Sequence, residues 1–147
     1  MAWRVTSRDS KTMRNPMKQL LMGLMLLMVS GAASAEWTIA GFSDVADKYV
    51  DIATIRRNGN LVKMWDLADF KTKMVRTATG DTYLSSKMQS EYDCKEEKVR
   101  ILAFNWFSGQ MGSGKVVYLD HDPRDKWSPI SPGSFNEILW KIACGKK

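Results

Sequence analysis

The chain reads as an α+β domain, a run of β-strands followed by one C-terminal helix, and three features of the sequence say so. Between Leu84 and Cys94 every second residue (Leu84, Ser86, Met88, Ser90, Tyr92, Cys94) avoids charge, while the alternate set (Ser85, Lys87, Gln89, Glu91, Asp93) does not. A period of two is the mark of a half-buried strand. Near the end, Ser134 stands three residues before Glu137, a capping box that Pro132-Gly133 keeps clear of upstream helix, and apolar residues at helical spacing follow. The only two cysteines are Cys94, on the quieter face of that strand, and Cys144, which closes the helical segment, so one bond would staple helix to sheet.

The remaining elements follow in order. Glu36 to Phe42, with Trp37, Ile39 and Phe42, forms a first strand that Gly41 weakens or bends, and Ser43 to Asp47 turns the chain. Lys48 to Val50 is a short second strand before a local turn at Asp51 to Ile55, where Asp51 is placed to accept backbone hydrogen bonds. Asn58-Gly59 tolerates positive φ and signals a hairpin, so a long strand starts at Leu61 and runs through Trp65 to about Phe70. Lys71 to Asp81 is basic and polar, as an exposed loop would be. After Tyr83 to Cys94 comes the charged connection Lys95-Glu96-Glu97, then Val99 to Phe107, whose nearly continuous apolar character makes it central or buried on both faces. Ser108 to Gly114 is a glycine-rich connection, Lys115 to Leu119 a final strand, and Asp120 to Pro132 a long loop. In the helix, Phe135, Ile138, Leu139 and Ile142 share one face and Trp140 lies off it. An ideal helix would carry Cys144 away from that face, so the helix is expected to unwind near Cys144, with Gly145 as a left-handed cap.

At 147 residues, 44% apolar and 26% charged, the composition is that of one ordinary globular domain. The formal charge of +6 is concentrated at the start, where Arg4, Arg8, Lys11, Arg14 and Lys18 stand against Asp9 alone. Residues 36–147 carry 17 basic and 15 acidic side chains, a net of +2, which is no nucleic-acid footprint. From Met17 to Ala35, Lys18 precedes the apolar run Leu20 to Val29 and small residues ending Ala33-Ser34-Ala35. This is the pattern of a secretory signal peptide cleaved before Glu36, and its run of about 10 residues falls short of the roughly 20 that span a bilayer. The expected organisation is therefore an N-terminal extension and signal peptide over 1–35, removed on export, and a mature domain over 36–147. Met13 or Met17 would start a signal peptide of more usual proportions than Met1. With no cysteine near the cleavage site to accept lipid, the Sec-exported product is expected in the periplasm or at the cell surface, without a lipoprotein anchor or transmembrane helix. Two cysteines in a small exported domain pair rather than form a redox or metal site.

Motifs with chemical associations are few. Gly109 to Lys115 matches the glycine and lysine spacing of a phosphate-binding loop, but Val116 stands where Ser or Thr is required and the segment after it is strand-like, so it reads as a hairpin connection. Asp120-His121-Asp122 holds the only histidine, in a proline-flanked loop with no second ligand pair, and reads as solvated. Asp66 and Asp69, three apart on a strand, face opposite sides and cannot act as an acid/base pair. Arg56, Arg57, Lys63, Lys71, Lys73 and Arg76 make the early half basic, most simply as a solvated face. Trp37, Trp65, Trp106 and Trp140 read as core, and Trp127, beside Pro129's loop, as the most exposed tryptophan. No nucleophile, base and metal set comes together: no catalytic residue, cofactor or metal is expected, and the protein is expected not to be an enzyme.

Three blocks of the chain resemble the surface-adhesin protein E family of Gram-negative bacteria. They are Val50-Asp51 through Ala53-Thr54-Ile55-Arg56-Arg57-Asn58-Gly59-Asn60 to Trp65; Ser85-Ser86-Lys87 through Tyr92-Asp93-Cys94-Lys95 to Gly112-Ser113-Gly114-Lys115-Val116-Val117-Tyr118; and Pro132-Gly133-Ser134 to Leu139-Trp140-Lys141-Ile142-Ala143-Cys144. The resemblance implies a single antiparallel sheet of about six strands with the C-terminal helix packed on one face and tethered by a Cys94–Cys144 disulfide. It also implies a non-enzymatic protein-binding module of the kind that contacts host matrix or serum glycoproteins such as vitronectin and laminin. Two departures are the missing lipid-acceptor cysteine and Ile52, which stands where the family carries proline. The alternative is a periplasmic envelope protein with a structural or inhibitory role and no host ligand. A partner-binding face is expected on the polar side of the central hairpin, at Lys87, Gln89, Glu91 and Asp93 with Lys98 and Arg100, because burying it against the helix would strand unpaired charges. The expected partner is a protein, with a homodimer left open and nucleic acid excluded.

Overall fold

In the computed structural model, which describes residues 36–146, the strands are β1 (Trp37–Phe42), β2 (Ala46–Asn58), β3 (Leu61–Val75), β4 (Thr82–Asp93), β5 (Lys98–Phe107), β6 (Val116–Asp120) and β7 (Ser128–Pro129). Among the described residues one α-helix, α1 (Phe135–Cys144), follows the strands. The expected signal peptide and its cleavage site lie outside the described residues. β1 to β6 form an antiparallel meander in sequence order, and β7 adds a short pairing to the start of β5. The expected sheet of about six strands is present, with one short strand more.

Two stretches expected to be turns or loops belong to strands. β2 passes straight through Asp51–Ile55, where its register with β3 shifts between Asp51 and Arg56. The turn chemistry survives as a bulge: Asp51 Oδ1 accepts the Ala53 amide at 3.1 Å and Thr54 Oγ1 donates to the Asp51 carbonyl at 2.6 Å. Ile52 stands exposed on this bulge. β3 likewise continues past Phe70 to Val75, because the Lys71 amide bonds the Val45 carbonyl and Met74 and Val75 pair with Tyr83 and Thr82. Cross-strand pairing there outweighs the polar composition.

α1 begins at Ser134, whose hydroxyl accepts the Glu137 amide, while the Glu137 carboxylate reaches back to the Gly133 amide at 2.7 Å. That amide first, then Lys141, holds the Glu137 carboxyl below its ordinary range. Gly145 closes the helix in the left-handed conformation at φ 66°. The helix keeps its form through Cys144, so no unwinding precedes the disulfide, which joins Cys94 across a Cα separation of 5.6 Å. The face turned to the sheet is Leu139, Trp140 and Ala143, with Ile138 at the surface, so Trp140 is core and the expected stripe is rotated. Beneath it lie Val50, Val62, Met64, Tyr92 and Val99. Burying a Leu-sized side chain contributes about 1.5–3 kcal/mol. The Trp140 indole donates to the Asp93 carbonyl at 3.2 Å, and Arg57 bonds the Ala143 carbonyl at the same distance, which holds the C-terminal turn of α1 over the β2–β3 hairpin.

Candidate partner-binding face

Alternation on β4 sends Ser90 and Tyr92 towards α1 and Lys87, Gln89 and Glu91 to the opposite, uncovered face. The expected face therefore does look away from the helix. The register sets Trp65 opposite Gln89 and Gln89 opposite Ala103, while the next row holds Lys63, Glu91 and Arg100. Between these rows a cavity of about 410 Å³ is lined by Lys63, Trp65, Gln89 and Arg100, and by His121 and Pro123 from the loop after β6. The His121 ring is placed by Nε2, 3.1 Å from Asn105 Oδ1.

Not all of the expected residues are available there. Glu91 is only 4% exposed, because Arg100 lies across it, with Nε donating to Oε2 at 2.7 Å, and Lys63 stands 3.8 Å away. It is a buried ion-pair partner and not a free surface charge, which corrects the expectation that this whole face stays open. Lys87 is half-buried, its Nζ 5.1 Å from the Phe107 ring and 5.6 Å from the Trp37 ring. A Cβ on Gly112 would come within 2.1 Å of the Lys87 Cε, so the glycine loop lies directly on this side chain. Lys98 is exposed opposite Asp93. Asp93 accepts the Lys95 and Glu96 amides, each at 2.9 Å; the Glu96 amide chiefly holds its carboxyl below the ordinary range. The cavity thus combines Gln89 and Arg100, which the sequence singles out for this face, with Trp65, Lys63, His121 and Pro123, which it does not.

The glycine-rich segment folds back onto the same face through a 3-10 turn at Gln110–Gly112 and leads directly into β6. The Met111 amide is taken by Asp69 Oδ1 at 2.7 Å and the Gly112 amide by the Ser85 hydroxyl at 2.8 Å. Amides that would cradle a phosphate are committed to the fold. Asp66 faces the other way, 1% exposed, with Lys48 Nζ 2.6 Å from its Oδ2. Burial pushes the Asp66 carboxyl up, and the charge and hydrogen bond of Lys48 pull it only partly back. The basic residues of the early half are spread over separate partners: Arg57 on Ala143, Lys71 on Asp47, and Arg76 over the Tyr118 ring. Trp127 is half-buried, with the Arg100 guanidinium 4.8 Å from its ring, and not the exposed tryptophan expected.

The model of the family described as surface-adhesin protein E matches residues 37–145. The chain belongs to this family. No curated protein is detectably similar in sequence. Among solved structures, Haemophilus influenzae protein E is similar at 10% identity and TM-score 0.54, over 72% of this chain and 88% of that one. Its second crystal form gives TM-score 0.55 at 10% identity over 77% and 97% of the two chains. Protein E from non-typeable Haemophilus influenzae gives TM-score 0.52 at 12% identity over 78% and 79%. At such identities the likeness shows the shared fold alone. No helix among the described residues is long and apolar enough to cross a membrane.

Proposed function

We propose that the protein is an exported, non-enzymatic adhesin that holds a host matrix or serum glycoprotein against the uncovered sheet face. Family membership supplies the class of activity. The observation that supports the location is the cavity between Trp65, Gln89, Lys63 and His121, which joins an indole surface to an amide and a cationic rim on the one face that α1 leaves free. Aromatic and cationic side chains around a concave centre are the kind of anchor on which protein interfaces concentrate their energy.

Lys63 and Lys98 are exposed on or beside this face, so replacing both with Ala removes charge with little cost to the fold. The double variant is expected to bind immobilised vitronectin about tenfold more weakly at low salt, with the difference shrinking as ionic strength rises. Equal binding by folded variant and parent removes this face. Protease treatment of intact cells separates the proposal from the alternative of a periplasmic structural or inhibitory protein: an adhesin is degraded there and a periplasmic protein is spared.

A further inference from the structure

We propose that a second cavity, on the helix-bearing face, binds a small organic anion with an apolar body. It encloses about 340 Å³ between β3, β4, β5, the first turn of α1 and residues 124–128. Ligand cavities begin at roughly this size, about 300 Å³. It lies on the opposite side of the sheet from the partner-binding face; Arg100 borders both cavities, and the variants used below leave it untouched, so the two readings are tested separately.

One wall is apolar, made by Met88, Val99 and Ile101. The floor is polar and shielded from solvent: Asp66 is 1% exposed and Ser90 3%, with Lys48 reaching Asp66 at 2.6 Å. Polar groups buried this deeply cost about 1–3 kcal/mol each when unmet, so a floor of this kind favours an occupant carrying oxygen atoms.

Charge selects the sign of the ligand. Asp66 is the one carboxylate lining the cavity, against Lys48, Arg124 and Lys126, while Arg100 borders it with its guanidinium held to Glu91 on the other face. Asp66 neutralises Lys48, Glu91 neutralises Arg100, and Asp120 neutralises Arg124. Lys126 has no carboxylate within ion-pair distance among the described residues, and Asn136, in the first turn of α1 that Glu137 already caps, lines the same cavity. An acid group held between Lys126 and that turn would leave its apolar body along Met88, Val99 and Ile101. A cation of the same shape would meet repulsion at Lys126.

Octanoate tests the assignment, with octylammonium as the charge-reversed control, on protein expressed from the full chain and labelled at its methionine methyl groups. The Met88 methyl resonance, identified with Met88→Leu, reports occupancy. Octanoate is expected to shift that resonance saturably, octylammonium about tenfold more weakly, and Lys126→Glu to weaken octanoate by about tenfold. Ser128→Trp, at an exposed lining position, is expected to abolish the shift while the remaining spectrum stays that of the folded parent. A folded parent with no octanoate-dependent shift overturns the proposal. Equal binding of the two charge types, or binding untouched by both variants, does the same.

Discussion

Replacing Arg100 with Ala tests whether the uncovered face is a structural ion-pair surface as well as a docking surface. Glu91 keeps a side chain 6% exposed against an Arg100 side chain 25% exposed, and the guanidinium makes contacts of 2.7 Å from Nε and 2.5 Å from Nη2. Breaking a buried pair by removing one partner costs about 3–5 kcal/mol, since the remaining charge is left without compensation. Lys63, 3.8 Å from Glu91 and about half exposed, recovers part of this, while the lost contact of Arg100 with the Trp127 ring adds to it. The net expectation is a loss of about 3 kcal/mol out of a domain's usual 5–15. Urea unfolding followed by tryptophan fluorescence should show the midpoint falling by about 1–2 M at an unchanged slope. Removing both charges with Glu91→Leu and Arg100→Leu should be less destabilising than Arg100→Ala alone, because no unpaired charge remains buried. An Arg100→Ala midpoint within about 0.3 M of the parent would mean that water already solvates Glu91, and the reasoning would fail.

Three further outcomes follow from the same geometry. Cys94→Ser with Cys144→Ser should cost about 4 kcal/mol in the loop-entropy view, given a separation of 50 residues, while the Leu139, Trp140 and Ala143 contacts keep the helical circular dichroism; an unchanged urea midpoint would contradict this. Gly112→Ala should destabilise by about 1 kcal/mol or more, since φ is 72° and the new Cβ meets Lys87, whereas Gly59→Ala, at φ 58° with open space around it, should show the backbone term alone. Burial raises the Asp66 carboxyl above 3.8, so the native state binds that proton more tightly than the unfolded chain does. Asp66 therefore contributes stability that is present at low pH and declines as pH rises through its folded value. The stability of the parent minus that of Asp66→Asn should fall as pH rises from the ordinary carboxylate value of 3.8, and a difference that rises with pH there would reverse the sign of the argument.

Much of the fold is legible because it rests on local signals. The period-two pattern from Leu84, the apolar run from Val99, Asn58-Gly59 and the Ser134 capping box each carry their own geometry, and β4, β5, the β2–β3 hairpin and α1 appear where they point. What escapes the sequence depends on register. Alternation puts Glu91 on the polar face, but only the β4–β5 pairing reveals that Arg100 lies directly opposite and covers it. Lys48 and Asp66 are 18 residues apart and meet because β2 and β3 pair across Val50 and Asp66, one pleat from Lys48. A helix end bonded to Cys94 turns the Cys144 side towards the sheet, which favours Trp140 and Ala143 over Ile138, a constraint that the apolar spacing alone does not carry. The candidate cavity needs β3, β4, β5 and the loop after β6 at once, so no single stretch announces it.

Hydroxyl-radical footprinting of the protein with and without vitronectin tests the proposed docking face most directly. Trp65 and His121 line the cavity on that face, while Tyr118 and Phe42 lie elsewhere, Tyr118 beneath Arg76 and Phe42 two-thirds exposed on the outermost strand. The account expects oxidation of Trp65 and His121 to fall on binding while Tyr118 and Phe42 stay as reactive as before. Protection confined to Tyr118 and Phe42, or unchanged oxidation of Trp65 and His121 in a complex shown to form, would contradict it.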